Sequence, residues 1–488
     1  MSKRVIVVGT GNAALCAAIA ALESGAEVLV LEKADEALAG GNTKYTAGAM
    51  RFAYDGFEDL LPLLKDPNDP RLARTEFGSY PRQKFGDDLL AFNGGRPLSP
   101  EQTRLIESSL DTLQWLAGNG VTFEPIWSRQ SFEKDGKIVF WGGLTLAAEN
   151  EGVGLFDMER DAVLRLGGEI RYDTGVTGLT MEGDRVAGVM VGDMTLAADA
   201  VILACGGFEA SDALRQDWMC GNWQHAKVRG TPHNTGDGLV MAREIGAKAH
   251  GLYDGCHATP MDLHMADFGG LHLPPGERKN YRKICYFLGV MLNARGERFV
   301  DEGKDFRNYT YAQFGRAVLD QPGHFAWQVF DAKVMDLLYF EYRFDDAHFV
   351  EAESLEALCE KLNGVDASAA LATLTDFNDA VDQSKPFDPT VLDGKSALGL
   401  EVPRSNWAQT LDTPPYRAYP VTGGITFTYG GVAVSDRGAV LNEAGAEIPD
   451  LYACGEMVGG VFFEGYPGGS GLTSGAVFGR LAGTHAAC

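Results

Sequence analysis

The sequence holds no Cys-x-x-Cys pair. Its eight cysteines (Cys16, Cys205, Cys220, Cys256, Cys285, Cys359, Cys454 and Cys488) are scattered, which excludes a redox-disulfide pair, a Cys-x-x-Cys-His haem attachment and the usual iron–sulfur runs. Reduced thiols are expected. No stretch approaches the roughly 20 apolar residues that span a bilayer. The first apolar run begins at Arg4, which leaves no room for a signal peptide and predicts a cytoplasmic protein. Positive charge is scarce: 42 Lys and Arg face 67 Asp and Glu, a net charge of −25. That balance argues against nucleic acid and anionic membrane surfaces. An anionic ligand would need a basic pocket of its own. Internal repeats and low-complexity segments are also lacking.

What is present is glycine at particular places in an apolar frame. A chain of 488 residues with 45% apolar and 22% charged residues is long enough for two domains, with room for one to interrupt the other. The stretch from Val5 to Glu32 reads as strand, glycine turn, alanine-rich helix, strand and acid, the pattern of a dinucleotide-binding βαβ unit. Gly9 serves the tight turn, Gly11 lets a pyrophosphate approach the backbone, and Ala14 takes the place of a third glycine. The free N–H groups from Asn12 and Ala13 to Leu15 favour phosphate. Glu32, with Lys33 beside it, is placed to bind a ribose hydroxyl pair. Directly after the second strand, residues 40–50 supply small residues, Gly41, Ala47 and Gly48 among them, where backbone can pass a flat, bulky group. Asn42 and Thr43 add short hydrogen-bonding side chains.

Further along, residues 52–100 read as short helices and loops, and a helical pattern from Pro100 ends at Gly118 to Gly120. Another helix covers Leu155 to Leu166. Strands follow at 169–172, 176–181, 186–191, 194–198 and 200–204, with a turn at Gly183-Asp184. The helix after Thr235 to Gly238 puts Asp237 at an N-cap by rule. Residues 251–420 lose the βαβ rhythm, which suits a separate capping domain.

The segment at 40–50 closely resembles the second FAD contact of the fumarate reductase/succinate dehydrogenase flavoprotein family. Five other segments match that family in order: 5–32, 200–208, 231–247, 288–302 and 450–483. The resemblance implies an α/β fold, a Rossmann-like FAD-binding domain (GR2 type) interrupted by an α+β substrate-capping domain. The divisions expected are 1–250, 251–420 and 421–488. It implies FAD contacts at Val176 beside the adenine, at the Gly206 turn, at Asp237, at Glu456 on the ribityl chain, and at Ser470, Gly471 and Leu472 against the flavin pyrimidine. Arg298 and Glu302 are taken as structural. Tyr45 and Thr46 occupy the neighbourhood of the histidine that carries covalent FAD in succinate dehydrogenases, so non-covalent FAD is expected.

The chain departs from the family where fumarate reductases use two arginines. Cys285 falls at the donor position with Tyr286 beside it, Tyr466 falls at the clamp, and Thr426 and Phe427 stand at the paired histidines. Fumarate reduction in that manner is not expected. The turn from Glu464 through Tyr466 to Gly471 resembles 3-ketosteroid dehydrogenases, and the run Arg298 to Tyr311 looks most like the tricarballylate dehydrogenase group. The latter predicts arginines near the flavin, with Arg51, Arg229, Arg282 and Arg307 as candidates.

The chemistry expected is therefore FAD-dependent oxidoreduction of a CH–CH bond next to a carbonyl or carboxylate. Tyr466 and the Gly468/Gly469 backbone would polarise that group, Tyr286 would act as acid or base, and His257 would bind substrate. His257, His264 and His272 lack the acid or cysteine pattern of a metal site, and no metal is expected. The partners expected are a small substrate and an external electron acceptor or donor. Alternatives are the same site run backwards as an ene reductase, a 3-ketosteroid dehydrogenase-like substrate, and a flavin-binding partner subunit without turnover of its own.

Overall fold

Val5 to Val8 are at most 5% exposed, and a β-branched run buried on both faces suits the centre of a parallel sheet. The computed structural model describes residues 2–128, 130–134, 136–271, 273–274 and 277–488, with the side chains of Phe132 and Asn308 outside that description. Strand β1 (Arg4–Val8), helix α1 (Asn12–Glu23) and β2 (Glu27–Leu31) form the expected βαβ unit. Val5 lies opposite Val28 and Val8 opposite Leu31. Helix α2 (Pro100–Gly118) starts with a capping box in which the Gln102 N–H donates to Ser99 Oγ and the Ser99 N–H donates to Gln102 Oε1. Two reciprocal bonds at one end fix where this helix begins. Helix α3 (Glu151–Arg165) leads to β3 (Glu169–Arg171), parallel to β2. An antiparallel meander over 178–182, 185–191 and 194–197 follows, its first turn made by Gly183 at φ +65°. Strand β4 (Ala200–Leu203) then pairs with the other side of β1.

The capping sheet begins earlier than expected. Strand β5 (Lys227–Val228) already belongs to it, and helix α4 (Asp237–Glu244) then intervenes. Strands β6 (Cys256–Asp262) and β7 (Val290–Leu292), helix α5 (Arg307–Leu319), β8 (Ala326–Phe330), β9 (Val350–Ala352), helix α6 (Ala367–Ala380) and β10 (Tyr416–Thr428) complete the cap. Strand β10 is the 13-residue axis of this sheet: β9 and β8 pair along its first part, β6 along its second, and β5 at Gly424 and Ile425. It runs without a break through position 420/421, because a ladder of hydrogen bonds needs no change of composition to continue. Beneath β7, Glu302 is fully buried between Arg298 at 2.5 Å and Arg404 at 3.2 Å and accepts the Met291 N–H at 2.9 Å. The buried ions are thereby compensated. Arg404, the second partner, carries no local signal in the sequence.

The chain then returns to the first sheet. Strands β11 (Ala439–Leu441) and β12 (Glu447–Ala453) add to β4, giving the order β11-β12-β4-β1-β2-β3, parallel except for β11. Helix α7 (Ser470–Ala486) closes the fold by lying against α1. Gly475, Gly479 and Gly483 recur every four residues and so share one face. A Cβ at Gly479 would stand 2.4 Å from the Ala13 carbonyl oxygen, and one at Gly483 would stand 2.1 Å from that of Ala17. Only hydrogen fits there. Asn12 Nδ2 also donates to the Leu472 carbonyl at 2.8 Å, tying the two helix N-termini together.

Replacing Gly479 by alanine should therefore destabilise the protein by about 1–3 kcal/mol through overpacking. Gly118→Ala, at a helical position with nothing within 4 Å of the added carbon, should be neutral or stabilise by up to about 1 kcal/mol. Midpoints of urea denaturation compare the two. Equal effects would mean that the α1–α7 contact is looser than described.

Candidate active site

A cavity of about 900 Å³ lies between the C-terminal ends of β1, β2 and β4 and the cap, the usual ligand position in open α/β sheets. Gly9 turns at φ +109°, and a Cβ there would meet the Ala204 carbonyl at 2.6 Å. Helix α1 starts with no side-chain cap and no acid in its first turn. The Asn12 N–H donates to Thr43 Oγ1 at 2.8 Å, and Gly11 and Ala13 line the cavity beside it. An uncapped helix N-terminus with glycine at the approach is an anion site. Glu32 is 7% exposed; it accepts the Ala34 N–H at 2.8 Å and the Thr10 hydroxyl, which sets its carboxylate toward the cavity. Lys33 joins the end of β2 to the start of α4 by donating to Thr235 at 2.6 Å and Asp237 at 2.8 Å.

Gly41, Asn42, Thr43, Ala47, Val176, Gly206, Asp237, Glu456, Gly471 and Leu472 also stand on this wall. Gly48 and Ser470 do not. A Cβ at Gly48 would meet Glu151 backbone at 2.6 Å, so this glycine packs the loop onto α3. Ser470 is buried with its hydroxyl donated to the Pro467 carbonyl at 2.6 Å. The helix cap expected at Asp237 is taken by Gly236, at φ +82°, because the chain enters α4 in a left-handed conformation that glycine favours. Asp237 is the first helical residue and holds Lys33 instead.

Behind the wall, sequence reading missed Glu209. Its Oε1 accepts from Asn42 and Asn234, both at 2.7 Å, while Oε2 is buried with no ordinary donor. The neighbouring acid is Glu456, whose Oε1 accepts the Thr428 N–H at 2.6 Å and the Thr428 hydroxyl at 3.0 Å. The two buried carboxyl groups are close enough for the protonation of each to depend on the other. Burial, and then the charge of Glu209, pushes the Glu456 carboxyl well above the usual range. One proton held between them supplies the partner that Oε2 lacks. Gly207 leaves room for this contact, since a Cβ there would lie 2.1 Å from Glu456.

At the cap end, β6 and β10 bring His257, Thr426 and Phe427 to the cavity, and α5 brings Arg307 and Tyr311. Those two are four residues apart and share a helix face. Glycines allow α5 to lie this close: a Cβ at Gly315 would meet the Thr259 nitrogen at 2.7 Å, and one at Gly423 the Gly315 carbonyl at 2.4 Å. His257 is 3% exposed, with ring centroids 5.0 Å from Tyr466 and 5.2 Å from Tyr311. Among the described residues its Nδ1 has no partner. Burial first, then Arg229 and Arg282, holds its pKa well below the ordinary imidazole value, so the ring is neutral. Tyr311 and Tyr466 both pack their rings against His257, and burial raises both hydroxyls above the usual phenol pKa.

Four arginines reach the same end, with different commitments. Arg51 is spent on structure, donating to the Gly468 carbonyl at 2.7 Å and the Gly142 carbonyl at 2.6 Å. Arg282 is held by the buried Glu341 at 2.6 Å. Arg307 stacks on Tyr339 at 4.1 Å. Arg229 donates to the Thr426 hydroxyl at 3.1 Å, and among the described residues no carboxylate lies within 4 Å of it. Burial, followed by repulsion from Arg282, lowers it to about 10, so it stays cationic at neutral pH.

Tyr286 is a correction to the expected acid or base. It is absent from the described cavity wall; its ring is fully buried against Phe314 and its hydroxyl pairs with Thr310 at 2.7 Å. Cys285 is likewise in the core. Tyr311, not Tyr286, is the tyrosine of this part of the cap that lines the cavity, and its spacing four residues after Arg307 was the available signal. Among the described residues no His, Cys, Asp and Glu cluster could hold a metal; His272 lies outside them.

The sequence matches the family described as FAD binding domain over residues 4–75 and 103–472. The fumarate reductase (cytochrome) of Shewanella frigidimarina (strain NCIMB 400) is 29% identical over 493 residues, spanning 99% of this chain and 73% of that protein. The 4-oxocyclohexanecarboxylate 2-dehydrogenase of Sinomonas cyclohexanicum is 26% identical, spanning 98% of this chain and 92% of that one. The open conformation of a flavocytochrome c3 fumarate reductase aligns with a TM-score of 0.72 and 26% identity, over 99% of this chain and 78% of its own. A 3-ketosteroid delta1-dehydrogenase from Sterolibacterium denitrificans aligns over the whole of both chains with a TM-score of 0.73; at 21% identity this speaks to fold alone. The cavity fits FAD on its own geometry. It has an uncapped helix start at α1, a buried carboxylate at Glu32 placed as a ribose hydroxyl pair would require, and a second uncapped helix start at α7, where Gly471 and Leu472 line the cavity.

The shared proton has a testable consequence for stability. A carboxyl group whose pKa is raised on folding contributes stability that is complete below the unfolded pKa of about 4.3 and is lost as pH rises toward the folded value. Glu209→Gln supplies a permanent donor, so its stability relative to the parent should improve from pH 5 to pH 8. Glu209→Ala strips Asn42 and Asn234 of an acceptor and should cost about 1–3 kcal/mol for each amide left unpaired. Denaturation at the two pH values separates these outcomes; a glutamine variant as unstable as the alanine one would contradict the shared proton.

Proposed function

The chain belongs to the FAD-binding domain family and is an FAD-dependent oxidoreductase acting on CH–CH bonds; from this premise we propose that its substrate is a small polycarboxylate of the tricarballylate kind. The observation that carries this reading is Arg229, a cation at the cavity without a carboxylate partner among the described residues, flanked by Arg282 and Arg307. A partly buried charge with no ion pair is costly, and a substrate carboxylate in a bidentate contact would supply what it lacks. The basic cavity is also what an acid of −25 net charge would need in order to take an anion.

When bound, FAD supplies hydride transfer at a carbon β to a carboxylate or carbonyl. The chain's residues handle the rest. Arg229 and Arg307 hold substrate carboxylates, and Arg282, braced by Glu341, keeps the first of them in place. His257, neutral, offers Nδ1 to a substrate oxygen. Tyr466 and the Gly469 turn polarise the group next to the acidic carbon as enolate charge develops. The Tyr311–Tyr466 pair exchanges the proton at that carbon. In its protonated form this pair is a donor, which serves reduction of a C=C bond; dehydrogenation requires it to lose a proton first. We read the flavin as held non-covalently, with Tyr45 and Thr46 on the wall.

A second reading rests on a different observation. Phe427, Phe462 and Tyr466 stand with ring centroids 5.1–5.9 Å apart, an apolar corner that suits a ring ketone like those in the names of the steroid and cyclohexane relatives.

Anaerobic mixing of the holoenzyme with tricarballylate, with 4-oxocyclohexanecarboxylate and with 4-androstene-3,17-dione should bleach the flavin fastest with the tricarboxylate. Arg229→Gln should lower kcat/KM at least 100-fold, the loss of about 3 kcal/mol expected of a charged hydrogen bond. Faster bleaching by a ketone would replace the reading, and a flavin unresponsive to all three would favour a partner subunit without turnover. The raised tyrosine pKa values set the pH dependence. Enoate reduction should stay flat through neutrality and fall only above about pH 10, whereas dehydrogenation should climb as pH rises toward that value. Acid precipitation should leave the flavin in the supernatant.

A further inference from the structure

A second cavity of about 370 Å³ adjoins the first, and Tyr45, Thr46, Glu151, Arg229 and Asn280 stand on the walls of both. Its described wall carries Lys44, Arg229, Arg278 and Lys279 against one carboxylate, Glu151. Lys279 is answered by Asp346 at 2.7 Å. The other cations are not answered in that way. Arg278 is 9% exposed and gives its hydrogens to the Leu273 carbonyl at 2.9 Å, the Leu271 carbonyl at 3.4 Å and the Tyr45 hydroxyl. Among the described residues no carboxylate lies within 4 Å of it. Its guanidinium carbon stands 5.3 Å from the centre of the Tyr45 ring, so the Arg278–Tyr45 contact forms part of the partition between the two spaces. Lys44 rests 4.2 Å over Phe156 and, among the described residues, donates only to the Ala37 carbonyl, at 3.5 Å. Burial lowers its pKa, with Asp157 opposing that shift.

Enclosed cations without ion-pair partners are expensive to keep, and a protein of net charge −25 repels anions at long range. A local basic cleft offsets that field and raises the concentration of an anion at its mouth. We propose that the second cavity is the antechamber through which a carboxylate substrate reaches the active site, with Lys44 and Arg278 capturing the anion and Arg229, common to both walls, taking it over. The inference rests on the polycarboxylate reading and adds the route and its two capture residues. Neither Lys44 nor Arg278 lines the larger cavity, so the chemical step does not need them.

Stopped-flow mixing of oxidised holoenzyme with tricarballylate, followed by the perturbation of the flavin absorbance, measures association and dissociation separately. Arg278→Gln and Lys44→Gln should each lower the association rate about tenfold at low ionic strength, within the range of electrostatic steering. The salt dependence should become shallower, and the flavin reduction rate at saturating substrate should be unchanged. Arg278→Lys, which keeps the charge, should restore most of the association rate. Binding with unaltered association rates in both glutamine variants would overturn the antechamber and leave the substrate reading standing. If tricarballylate and succinate both fail to perturb the flavin of the parent protein, the substrate reading falls and the antechamber with it. If Arg278→Gln lowers the saturated reduction rate as much as it lowers association, Arg278 acts within the active site and the proposal is overturned.

Discussion

The contact between the first helix and the last is the constraint on which the cofactor cavity depends. Three glycines on α7 let its backbone touch that of α1, and Asn12 ties the start of one helix to the start of the other. Two positive helix ends then face one space, the first beside the nucleotide-type turn and the second beside Gly471 and Leu472. Neither end is capped by a side chain. Larger side chains at Gly479 or Gly483 would separate the helices and displace one end from the other, so the composition of a face remote from the ligand governs the geometry at it.

Charge follows a similar logic. The protein as a whole is strongly acidic, yet its interior holds cations and acids in separate places. Around the flavin, Glu209 and Glu456 reduce their burden by sharing a proton, whereas Arg298, Arg404 and Glu302 compensate one another outright beneath the cap. Among the described residues, Arg229 at the cap end of the cavity is the clearest cation left without equal compensation. Buried charge that is left unbalanced against its solvation cost is more informative about a ligand than buried charge that is balanced.

The parts of the site legible in the sequence are those in which a local backbone conformation demands a residue type. Gly9, Gly11 and Glu32 belong to one supersecondary unit, and Asn42, Thr43 and Glu456 sit in short glycine-rich turns of recognisable order. Glu209 was not legible, because nothing near it in the chain announces where its side chain ends up; it reaches the backing of the cavity by tertiary approach. Tyr286 shows the converse failure. Its place next to the expected donor position suggested chemistry, but the turn it occupies points the ring into Phe314. The edges of the cap were misjudged for a related reason: β5 and β10 join its sheet from sequence that looks like the other domain.

Strand β10 has one more consequence. It starts at the outer edge of the cap, is hydrogen-bonded along its length, and ends with Thr428 donating twice to Glu456. A strand held on its flanks is stiff along its axis, so β10 fixes the distance between the cap sheet and the buried Glu456 carboxyl.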